Sequence, residues 1–110
     1  MLEKENVEKI INNVLSQWKY MLEYVEWAYD EYERKGKEVK SSELFIALNC
    51  VEEIISNTSS GSIYHSLMEI YGLNSKYDGD FTKLWGSAKD LRFKILDELE
   101  YILKGRKREK

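Results

Sequence analysis

The chain has 110 residues, 43% of them hydrophobic and 34% charged, with six glycines and no proline. That is the composition of one folded domain built from helices with solvated faces, and it excludes collagen-like, low-complexity and disordered chains. Net charge is −3 but unevenly spread: residues 1–103 hold −7 and residues 104–110 hold +4, so the body should repel nucleic acid more than attract it.

The first helix is expected from about Glu3 to Arg34. One face reads Val7, Ile10/Ile11, Val14, Trp18, Met21/Leu22, Val25, Tyr29 and Tyr32 at 3/4 spacing. At about 100° per residue, Tyr20, Tyr24 and Trp27 fall on roughly the opposite side, interleaved with Glu23, Asp30 and Glu31. A lone amphipathic helix needs one apolar stripe. Either this helix lies between layers, with helices 2 and 4 covering the second set of rings, or those rings face a partner. Gly36 is read as the stop, with Arg34, Lys35 and Lys37 suiting the negative end of the helix dipole.

The second helix starts at a Ser41 or Ser42 cap and carries Leu44, Ala47, Leu48, Val51, Ile54 and Ile55. Phe45, Ile46 and Cys50 widen its apolar arc, so it is expected to be the most buried helix. Asn57–Ser62 reads as a polar connector, and Ser62 caps a short third helix holding Ile63, Tyr64, Leu67, Met68, Ile70 and Tyr71, ended by Gly72. Leu73–Gly79 reads as a loop around the turn pair Asp78-Gly79. The fourth helix then begins at Asp80 or Thr82, with a stripe of Leu84, Ala88, Leu91, Ile95, Leu99 and Ile102, and closes at Gly105. The expected fold is all-α: a single-domain, irregular, roughly antiparallel bundle of about four helices with a long first helix, over residues 1–103, followed by a basic flexible tail, 104–110. The first helix could also extend beyond the others and pair with a second copy as a homodimer.

Chemistry has few places to reside. His65 and Cys50 are the only histidine and cysteine; a dyad between them needs their helices to pack with those faces together. One His and one Cys cannot supply a structural zinc site. Glu52-Glu53 and Glu98/Glu100 lack the Glu-x-x-His of di-iron bundles, and Asn74–Asp80 lacks the EF-hand pattern. The glycines stand singly, so there is no phosphate-binding loop. We expect no enzyme, no metal and no cofactor.

The segment Trp85–Asp97 of the fourth helix is similar to the late helix of HEPN ribonucleases, which carry Arg, four residues, then His. Here Arg92 is followed at that distance by Asp97. The resemblance implies a non-catalytic relative. It supports the alternative reading of a nucleic-acid-associated subunit, using Lys89, Arg92 and Lys94 with Arg106, Lys107 and Arg108 of the tail.

The first reading is a non-enzymatic protein-interaction module. Tyr20, Tyr24 and Trp27 would anchor a basic protein partner, with Glu23, Asp30 and Glu31 in an acidic rim. Small acidic chains without catalytic groups include inhibitors, immunity proteins against toxins and blockers of host defence. A cytoplasmic location is expected, because the first residues lack a signal-peptide pattern and no apolar run is long enough to span a bilayer. No helix combines a basic face with a large apolar one, so no membrane partner is expected.

Overall fold

The computed structural model describes residues 2–35 and 41–104. Four helical segments follow in chain order, α1 (Lys4–Lys35), α2 (Ser41–Thr58), α3 (Ile63–Tyr71) and α4 (Asn74–Leu103), and no strand occurs among the described residues. With 32 and 30 residues, α1 and α4 are nearly equal, each roughly 45–48 Å long. Joined by the short turn at residues 59–62, α2 and α3 make a third rod of similar reach. The result is an elongated bundle of 55 × 20 × 20 Å.

Cross-links between rods fix their directions. On the α1/α4 side, Lys76 meets Glu8 at 2.6 Å, Asp80 meets Lys19 at 3.6 Å, and the Lys94 ammonium lies over the Tyr29 ring at 6.0 Å. The numbers rise together, so α1 and α4 are parallel. Opposite α1, Glu43 meets Tyr24, Tyr64 meets Trp18, and the Tyr71 hydroxyl donates to the Leu2 carbonyl at 2.7 Å. Here the numbers run in opposite senses, so the α2–α3 rod is antiparallel to both neighbours and the bundle runs up, down, up.

Val7, Ile11, Leu15, Trp18, Val25 and Ala28 of α1 close over Leu44, Ala47, Val51 and Ile54 of α2 and the inner stripe of α4. Trp18 is the joint between α1, α3 and α4. Its ring meets Tyr64 at 5.1 Å and Phe81 at 5.6 Å, both edge to face, contacts worth about 0.5–1.5 kcal/mol each beyond the area they bury.

The turns are built from local hydrogen bonds. The Ser62 hydroxyl accepts from the His65 amide at 3.1 Å and caps α3. Gly72 ends it at φ +66°. The Leu73 amide donates to the Met68 carbonyl at 2.8 Å and the Gly72 amide to Glu69 at 3.3 Å, the paired bonds of a Schellman motif, which needs a left-handed residue there.

Several expectations need correction. Leu73–Gly79 is not a loop: α4 starts at Asn74 and runs through Gly79 and Gly86. Its core stripe begins at Leu73 and continues through Tyr77, Phe81, Leu84 and Ala88, all buried. Burying Tyr77 and Phe81 outweighs the roughly 1 kcal/mol each helical glycine costs. The wider arc expected on α2 is not all inward: Leu44, Ala47, Val51 and Ile54 are fully buried, but Phe45 and Ile46 are exposed. Ile10, Ile63, Ile70 and Ile102 are also exposed, because each helix meets the core along one arc only. Gly36 and Gly105 lie outside the described residues.

Candidate functional site

On α1, two turns apart, Tyr20 and Trp27 are 76% and 59% exposed. Their direction follows from the helix itself. Trp18 and Val25 point to the core, and at 100° per residue the side chains two positions further on are turned roughly 160° away. Tyr24, between them, is half-buried and leans toward α2. Its hydroxyl donates to Glu43 Oε2 at 3.3 Å, and its ring lies 6.2 Å from that of Trp27, tilted by 34°. Burial, then the charge and hydrogen bond of Glu43, hold the Tyr24 phenol above its usual pKa range, so it stays a neutral donor. The interhelical bond pins the middle ring and leaves the outer two free of the core.

On the facing helix, Glu43, Ile46, Cys50 and Glu53 share one stripe. Tyr24 bonds the first of these and is electrostatically coupled to the third, which places exposed Ile46 beside the aromatic row. Of the wider core arc expected on α2, Cys50 packs against the core, whereas Ile46 is exposed and lies outward.

Carboxylates flank the row on both sides. Five lie between Tyr20 and Glu33 with no Lys or Arg among them, and α2 holds three with none. Glu23 and Asp30 are exposed, while Glu31 is half-buried. Lys35 at 2.9 Å, then Arg34, pair with Glu31 and hold its carboxyl below the usual range. On the α4 side, Glu23 and Glu26 border an open groove with Lys19 and Lys83, and Glu26 and Asp30 border another with Lys94. Among the described residues, α2 itself supplies no cation and only Glu52 is held by Arg92, so negative charge concentrates around Glu43 and Glu53.

The alternative set does not converge. Arg92 is turned to α2, where its Nε bonds Glu52. Lys89 lies over the Trp85 ring at 4.7 Å, and Lys94 faces α1 over Tyr29. At 100° per residue Lys94 is about 160° from Arg92, so the three bases do not make one surface. Arg106, Lys107 and Arg108 lie outside the described residues.

Cys50 and His65 serve different surroundings. Cys50 is half-buried beside Tyr24, and burial, then the charge of Glu53, push its thiol up, the opposite of what a nucleophile needs. His65 lines an open cleft of about 280 Å³ with Thr58, Ser59, Asp78 and Trp85. Among the described residues no three His, Cys, Asp or Glu side chains are grouped to hold a metal, and no helix is long and apolar enough to cross a membrane. No family, curated protein or solved structure matches this chain.

Proposed function

We propose that the chain is a non-enzymatic interaction module whose α1/α2 face engages a basic protein surface. The observation that carries this reading is the pair of outward rings, Tyr20 and Trp27, set in a field of carboxylates that holds no cation on α2. Aromatic faces beside carboxylates fit Arg and Lys: the ring attracts the cation through its quadrupole while the carboxylate pairs with it. Tyr and Trp also supply large contact area with few rotatable bonds to freeze. Inhibition or immunity through occupation of a basic active surface is a natural use of such a face, in a cytoplasmic setting.

The test is recovery of the tagged chain from cells of its source organism, with nuclease and graded salt, beside Tyr20→Ala/Trp27→Ala. The reading expects a stoichiometric basic protein that resists nuclease, weakens with salt and is lost in the double variant, with melting temperature nearly unchanged. Recovery that depends on nucleic acid would favour the Arg92 side of α4 instead. A collapse in stability would show the rings to be structural.

A further inference from the structure

A second exposed row runs along α4, on another side of the molecule. Trp85, Lys89, Phe93, Leu96, Glu100 and Leu103 fall within an arc of about 80° on the helix. Phe93 is 76% and Leu103 71% exposed, and Trp85 and Leu96 are each more than a third exposed. At the edge of the row Arg92 bonds Glu52, which fixes it on the α2/α4 side. Phe45 lies two turns from Glu52 on the same side of α2 and is exposed as well, widening the row toward its Leu103 end. Such apolar area on so small a chain marks a contact surface.

The pattern of this row is self-complementary. Extended by one position to Lys104, which pairs with Glu100 within the chain, it has its midpoint between Lys94 and Ile95. A two-fold axis through that point, with the helices antiparallel, sets Phe93 against Leu96 of the second copy, Lys89 against Glu100, and Trp85 against Lys104. Each pairing is made twice, as a two-fold interface requires. Charge decides where a second copy is tolerated. The α1/α2 face carries more carboxylates than the Arg34 and Lys35 that pair with Glu31 can balance, and repels its like, whereas the α4 row alternates sign and attracts its own inverse.

We propose that the chain forms a homodimer through this row, leaving both α1/α2 faces outward. The row extends roughly 27 Å from Trp85 to Leu103, which places the interface at the small end of specific contacts and makes the dimer reversible on dilution. It rests on residues separate from those of the aromatic face, so either proposal stands if the other fails.

Sedimentation equilibrium from micromolar to millimolar concentration tests it. The expected result is a rise from 13.1 kDa toward twice that mass. Phe93→Glu should abolish the rise with helix content and melting temperature retained, because the ring is outside the core. Lys89→Glu should weaken the dimer, and Lys89→Glu with Glu100→Lys should restore it. A single-chain mass at every concentration, a dimer indifferent to Phe93→Glu, or one broken by Trp27→Ala would overturn the proposal.

Discussion

Trp18 and Trp27 stand nine residues apart on one helix and do opposite things. Trp18 is 4% exposed and closed between Tyr64 and Phe81, in the half of α1 that faces α3 and the start of α4. Trp27 projects from the other half, with only Tyr24 against its ring among the aromatics and carboxylates along the same surface. The contrast is one of angle and neighbours rather than residue type. Trp18 lies on the inward arc of α1, and α3 and α4 bring aromatic edges to meet it. Trp27 is on the outward arc, and none of the described helices covers it. One helix thus supplies both a structural joint and an exposed ring.

The largest expected effect lies at the joint. Trp18→Ala should cost about 3–5 kcal/mol of unfolding free energy, through lost burial and an unfilled cavity joining three helices, read by urea denaturation. Trp27→Ala should stay within about 0.5–1 kcal/mol of the parent, while weakening a basic partner about 30-fold, the effect of losing about 2 kcal/mol at an anchor. Equal stability losses at the two positions would break the comparison.

Smaller changes sharpen it. Gly79 sits in the interior of α4 near the joint, and an added methyl group would meet no atom within 4 Å. Gly79→Ala should therefore stabilise by about 0.5–1 kcal/mol without touching the aromatic face. Gly72 is the opposite case: at φ +66°, Gly72→Ala should cost about 1 kcal/mol. Both are checked by thermal unfolding.

The smallest effect comes from acid. Glu8, bonded to Lys76 near the joint, and Glu31, bonded to Lys35 near the far end, both have carboxyl groups held below their ordinary pKa. A lowered folded-state pKa adds stability that is present above the unfolded value and is lost as pH falls through the folded one. Melting temperature should decline slightly below about pH 4.5. Glu8→Gln or Glu31→Gln should flatten that decline, by little because the lysine of each pair is exposed to solvent.

Much of this architecture is legible in the sequence. The 3/4 stripe of α1, the Ser62 cap and the Gly72 stop are readable there, and the angle of Tyr20 and Trp27 to Trp18 sets them opposite the core stripe, but whether another helix covers them is not readable. What was not legible depends on other helices. Asp78-Gly79 has turn chemistry, and only the packing of Tyr77 and Phe81 against α1 and α3 makes that stretch helical. The tilt of Tyr24 toward Glu43 depends on where α2 docks. The Trp85–Leu103 row is hidden because Lys89, Arg92 and Glu100 interrupt it, so it reads as an ordinary solvated face until the inner stripe of α4 is known.

The most direct test of the central claim is a photo-crosslinking side chain placed at position 27 and, separately, at position 93, in cells of the source organism, with the adducts identified by mass spectrometry. Position 27 is expected to capture a different, basic protein, and position 93 a second copy of this chain. Capture of the same species at both positions, or nucleic acid at position 27, would contradict it.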